Sequence, residues 1–390
     1  MESVSARPLT LARDPEVEDR AREALAALVS SAQDAAGEAW AGAALGGALG
    51  LGEGAMLGSG DAATDPFELA ILVDVPLRDV EALERRIRRA FSETAHARHV
   101  RGSVRAVTRR VISLLPATLE NLELVAANRI LEGPAGLLAA APAFDAGAVD
   151  PTEGLTLLVR SGAALLAAER AVDRGADAAA GRAALFAVNR VDLALGSAVL
   201  LSAGLWVPSV VLRDQALRAL VSGPVDGAAR QPGFRARMGW TRFRDLVERH
   251  RVAVESLRHP AAFDEPDARR QVARASDRWM EVLRLFEEER LGLALPTWTD
   301  LARALAARHG RSVTASLFGA EEEAARTLAG LPSRRAVKAW PQAERLAPAV
   351  AALLDWDPGD LPLVPVLLDL PAGTERDALR QRVIHMAEGV

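Results

Sequence analysis

The chain has 390 residues, half of them apolar, a formal net charge of −5 and no cysteine. That length predicts two or three domains, and that apolar share supplies a large core, which excludes general disorder. The lack of cysteine excludes disulfides, thiolate metal sites and a cysteine nucleophile, and it fits a cytoplasmic protein.

Taken in chain order, residues 15–36 (PEVEDRAREALAALVSSAQDAA) read as an amphipathic helix, with Pro15 at an early position and apolar residues near 3.6 spacing. Residues 39–46 read as a short strand. A glycine-rich stretch follows, in which seven of the residues 46–60 are Gly. FELAILVDV (67–75) is the clearest strand in the chain. Residues 76–93 form a helix that places Leu77, Val80, Leu83, Ile87 and Phe91 on one face. Residues 103–116 read as one strand or two, and 119–134 as a short helix or strand ending at Gly133–Pro134.

From residue 151 the pattern changes to Ala- and Leu-rich helices: 151–174, 177–203, 208–222, 235–258, 265–291, 297–309, 318–330, 341–355 and 374–387. Turn signals separate them, among them DWDPGDLPLVP (355–365). The boundary falls in the Ala-, Gly- and Pro-rich segment 140–154. The expected fold class is α+β: a small mixed-sheet domain over 1–140, then an all-helical domain over 150–390. Residues 193–212 are apolar but hold Pro208 and have charged flanks, so they read as a buried core hairpin and no membrane span is expected. The N-terminus has no apolar signal core.

Three phosphate-loop patterns compete for residues 46–75. A P-loop needs a lysine, and Lys338 is the only one in the chain. Gly50, Gly52 and Ala55 match G-x-G-x-x-A in letters, with Asp74 about 20 residues on, but MLGSGDAATDP will not hold the helix that fingerprint requires. The third pattern is an apolar residue, a Gly pair, a turn and carboxylates entering a strand. LGG (45–47), GLGEGAM (50–56) and DPFEL (65–69) follow it in that order. In this the chain resembles the polymerase-β-type nucleotidyltransferase superfamily.

The resemblance implies that a Gly pair opens a short helix whose backbone amides hold nucleotide phosphates. It implies an acidic pair at i and i+2 on the next strand, sharing Mg²⁺ bridged to those phosphates. By this resemblance Gly46, Gly47, Gly52 and Glu53 lie about the nucleotide, and Asp65 and Glu68 are the catalytic metal ligands. The implied reaction is Mg²⁺-dependent transfer of a nucleoside monophosphate from a nucleoside triphosphate to a small-molecule acceptor hydroxyl, brought by the helical domain. The sequence departs from the pattern in three ways. Pro66 stands where the first carboxylate belongs, Asp65 and Glu68 are spaced i and i+3, and no Asp or Glu occurs from Thr94 to Leu119. A turn at Pro66 could place Asp65 outside the strand. Three readings stay open: an active transferase, a catalytically degenerate member acting as a nucleotide-binding or protein-interaction module, and another fold.

Other residues carry alternatives of their own. Arg101, Arg105 and Arg109 recur every four residues, as a phosphate clamp with Arg105 at its centre or as a solvated edge face. His96 and His99 are a metal pair or two surface histidines. His250, His259, His309 and His385 read as helix-end residues. Asn189, Arg190, Asp192 and Arg213 either face a cleft or tie two helices, with Asp192 paired to Arg213 or Arg190. The seven tryptophans read as packing anchors. A mildly acidic chain without a basic run or aromatic ladder is not expected to bind nucleic acid, and the helical half is left as a surface for a protein partner.

Overall fold

A computed structural model describes residues 7–56, 65–174, 178–222, 233–258, 265–309, 340–355, 360–371 and 373–387. The helix expected over 318–330 lies outside the described residues. The chain divides into two compact units. The first is Met1–Asp150 with Leu205–Ala216 and Arg251–Ala261, and the second is Pro151–Gly204, Leu217–His250 and Ala262–Val390. The class is α+β: helices dominate, beside a four-stranded mixed sheet.

In the first unit, helix α1 (Pro15–Ala36) starts at Asp14, whose carboxylate accepts from the amides of Glu16 and Val17. Strand β1 (Trp40–Leu45), the short helix α2 (Gly47–Leu51), strand β2 (Phe67–Val73), helix α3 (Leu77–Ala97) and strand β3 (Gly102–Thr108) follow. A 3₁₀ turn then leads to helix α4 (Leu119–Ala127) and strand β4 (Arg129–Glu132). The sheet order is β3-β2-β1-β4; β2 runs antiparallel to β1 and parallel to β3. Central β2 is buried at every position but Glu68, which explains its continuous apolar run.

The two sheet faces separate by the period of two. Phe67, Leu69, Ile71 and Val73 join Leu28, Ile87 and Phe91 of α1 and α3 in one core. Ala70 and Leu72 join Val107, Ile112 and Leu124 in another, on the α4 side. Leu77, expected on the buried stripe of α3, is 65% exposed because the helix begins there, ahead of its sheet contacts. The segment 119–134 is both a helix and a strand. Asn128 turns the chain between them in the left-handed conformation.

The second unit is helical. Helix α5 (Pro151–Asp173) packs on α6 (Ala178–Ser202) and α10 (Glu265–Leu291). Gly162 gives that packing room: a Cβ there would stand 2.4 Å from the Trp279 ring. Trp279 donates to the Leu158 carbonyl at 2.8 Å, so its buried indole N–H is satisfied. The helix expected over 235–258 is broken at Gly239 (φ 82°) into α8 (Gly233–Met238) and α9 (Trp240–Arg258). His250 is not a helix-end residue: it is fully buried inside α9, against Gly196. A short helix, Leu363–Leu368, begins inside the turn-rich segment 355–365 and runs beyond it. Ala180–Ser202 is long and apolar enough to cross a membrane, alone among the described residues in this, and 72% of that window is buried in the protein.

The N-terminal strap 7–13 is tied down by Glu18. Its carboxylate accepts from the amides of Leu9 and Thr10 and from the Thr10 hydroxyl at 2.6–3.0 Å. Burial alone would raise its pKa. The hydrogen bonds from Leu9 and Thr10, with Arg22 nearby, outweigh burial and hold the carboxyl below the ordinary 4.5. A lowered folded value gives stability that is present above 4.5 and is lost as pH falls below it. Glu18→Gln is expected to lower unfolding free energy by about 2 kcal/mol at neutral pH. Urea denaturation of both proteins should show that gap narrowing toward pH 3, roughly one unit below the carboxylate's unfolded value.

Candidate functional site

Three strands bring their ends together at one edge of the sheet. The end of β1 meets the start of β2 (Leu45 opposite Leu69), and β2 meets the start of β3 (Phe67 opposite Gly102, Glu68 opposite Ser103). The Gly46–Gly47 turn leaves β1 at this edge. Gly46 donates its amide to the Glu68 carbonyl at 2.9 Å. Gly47 has φ +60°, and a Cβ on it would stand 2.8 Å from Cδ and 3.0 Å from each carboxylate oxygen of Glu68. The Glu68 side chain therefore lies directly against the backbone of residue 47. The left-handed turn favours glycine there, and a Cβ would also oblige the Glu68 carboxylate to move.

The other acid has a different neighbour. Asp65 is 1% exposed and pairs with Ala55 in both directions. Its amide donates to the Ala55 carbonyl, and the Ala55 amide donates to Asp65 Oδ2, each at 2.8 Å. Asp65 precedes β2, with Pro66 between, so strand parity does not govern it. No three His, Cys, Asp or Glu side chains group to hold a metal among the described residues. Asp65 and Glu68 are at most two carboxylates, and one has an oxygen committed to an amide. Mg²⁺ takes six oxygens in near-octahedral geometry. This donor set does not hold the ion by itself.

Gly52 and Glu53 stand at the opposite end of α2 from the Gly46–Gly47 turn. Gly52 (φ 76°) caps the helix C-terminus, with the Pro8 carbonyl 2.9 Å from where its Cβ would be. Glu53 accepts from Ser209 Oγ and from the Val210 amide, both at 2.6 Å. It caps the first turn of helix α7 (Val210–Ser222) together with Ser209, whose Oγ accepts from the Leu212 amide at 3.2 Å. Both were expected at a nucleotide; here structural contacts occupy them. Below them Arg129 of β4, 2% exposed, donates to the carbonyls of Arg7, Pro8 and Leu49. It joins the strap, α2 and the sheet, and burial pushes its pKa down to about 10.

The arginines of the acid-free stretch divide. Arg109 is half-exposed and pairs with Asp74 at 3.1 Å, the solvated edge reading. Arg105 lies on β3 opposite Ala70, two residues beyond Ser103, on the same sheet face as Glu68. Its Nε meets Glu120 at 3.0 Å. His96 and His99 are both exposed, and His99 has left the helix with φ 53°, which removes the helical ligand spacing. Asp192 pairs with neither expected partner. Arg278 of α10 holds it through two nitrogens at 2.9–3.2 Å, while burial pushes its pKa up. Arg213 instead stacks on Trp206 at 5.3 Å and lies 3.8 Å from Glu123. Sequence reasoning missed Ser103, which is exposed beside Glu68, and Arg129. Strand pairing, absent from any motif, was the signal needed for both.

Comparison with family models, with curated proteins and with solved structures finds no match. Two substitutions probe the geometry directly. Gly47→Ala is expected to cost about 1–2 kcal/mol of stability through the left-handed backbone alone. It should also push the Glu68 carboxylate aside, so the cost should fall when Glu68→Ala is added; a double-mutant cycle by urea denaturation reads that coupling. Glu53→Ala is expected to cost about 1–2 kcal/mol as a lost helix cap, measured the same way.

Proposed function

We propose that the edge formed by Gly46, Gly47 and Glu68 is the ligand-contacting edge of a nucleotidyltransferase-like domain that binds a nucleoside phosphate without being equipped for transfer. The observation that carries this reading is the seating of the Glu68 carboxylate on the bare backbone of Gly47. The element order supports it too, since strand, glycine pair, short helix and acid-bearing strand follow one another as the resemblance implies. A glycine turn lets a ligand approach the main chain closely. A carboxylate beside it accepts hydrogen bonds from ribose hydroxyls or base amino groups.

The donor set argues against transfer. The acidic pair is at most Asp65 and Glu68, Asp65 Oδ2 already accepts from Ala55, and β3 adds Ser103 and Arg105 but no acid. Mg²⁺-dependent transfer to a small-molecule acceptor is the second reading. It is favoured by the position of Asp65, which lies before the strand and so is free of the strand parity that would separate it from Glu68.

Calorimetric titration with ATP, GTP, CTP and UTP tests the proposal. At least one should bind, and Glu68→Ala should weaken it about tenfold, or 1.4 kcal/mol, with no pyrophosphate released. Binding of none would remove the proposal. Mg²⁺-dependent pyrophosphate release would replace it with the second reading.

A further inference from the structure

We infer that Arg105 supplies the positive charge at this edge in place of a metal ion, so that nucleoside phosphates bind this domain without a divalent cation. The inference rests on the nucleotide-binding reading above and adds the source of charge and a ligand requirement. A phosphate brought beside Glu68 meets a like charge and needs a cation between or next to them. Among the described residues no three His, Cys, Asp or Glu group to hold a metal ion without the ligand's own oxygens. The register places a guanidinium there instead: Ser103 lies opposite Glu68, and Arg105 is two residues further along the same face, roughly 6.6 Å away along the strand.

Arg105 is also held in a usable state. Its side chain is 20% exposed, and Glu120 meets it at Nε. Nη2 is buried and meets no hydrogen-bond acceptor among the described residues. A buried donor without an acceptor is a standing cost, and an anion delivered to it removes that cost. Glu120 is 49% exposed, so its charge is well solvated and neutralises the guanidinium weakly. It acts as a positioning residue that fixes the plane of the fork. A turn of this partly exposed side chain would bring Nη2 out to a phosphate, where the fork can bind in bidentate geometry. Arg109 contrasts with it, being more exposed and spent on Asp74.

The test is calorimetric titration of ATP, AMP and inorganic pyrophosphate into the full chain, in EDTA and in Mg²⁺, with thermal melts of every variant. ATP affinity in EDTA should stay within about threefold of that in Mg²⁺. Arg105→Gln should weaken ATP about tenfold or more while Arg109→Gln changes nothing. Arg105→Lys keeps the charge and loses the fork; it should fall between the two, and it decides the matter if Arg105→Gln does not fold. Pyrophosphate and ATP responding alike would place Arg105 on the phosphates, and loss confined to AMP would contradict that. Binding that requires Mg²⁺ would overturn the inference and leave the nucleotide reading standing. So would metal-free binding indifferent to folded Arg105 variants. Binding of no ligand in either buffer would fell the nucleotide reading and the inference with it.

Discussion

Residue 47 excludes a side chain chiefly by its left-handed backbone (φ +60°), against which the movable carboxylate of Glu68 is seated. Much of this end of the molecule follows from that exclusion. The turn after β1 must be tight and left-handed, so the chain re-enters as a short helix over the sheet edge. The Gly46 amide then reaches the Glu68 carbonyl, and one strand residue is gripped by the turn through both its backbone and its side chain. Glu68 is the single position of β2 that is not buried. The acid is thus held at the one point where the central strand opens to solvent beside bare backbone.

The far end of α2 is pinned from several directions. Arg129 reaches up from β4 to carbonyls of the strap and of α2, and Glu18 binds the strap from the other side. Glu53 leaves the same loop to cap α7. Arg129 and Glu18 are buried, and all three charges bond to backbone groups, so they tie main-chain segments together. The glycines therefore serve a built loop, and each has a separate reason: approach at Gly47, helix termination at Gly52, contact with the strap at Gly54.

The long elements were legible in the sequence. Residues 15–36 and 265–291 are helices with the bounds expected, since a strong 3.6 period over many residues leaves no competing pattern. The apolar run expected as a strand over 67–75 forms one over Phe67–Val73. Shorter pieces were less legible. Four residues of β4 carry too little alternation to separate a strand from the helix before it. Long-range pairings were invisible for a plainer reason: Glu53 finds Ser209 at a separation of 156 residues, and Asp192 finds Arg278 at 86. The glycine pair and Glu68 could be named from order and spacing. That Ser103 and Arg105 share their edge depends on a parallel register that no local pattern encodes.

The most direct measurement is a crystal structure of the protein grown with ATP in EDTA. The account predicts phosphate density within hydrogen-bond reach of the Arg105 guanidinium, beside the Gly46–Gly47 turn, with the Glu68 carboxylate facing the nucleoside. Nucleotide density at another place in the fold, with Glu68 still seated on Gly47 and Arg105 untouched, would contradict it.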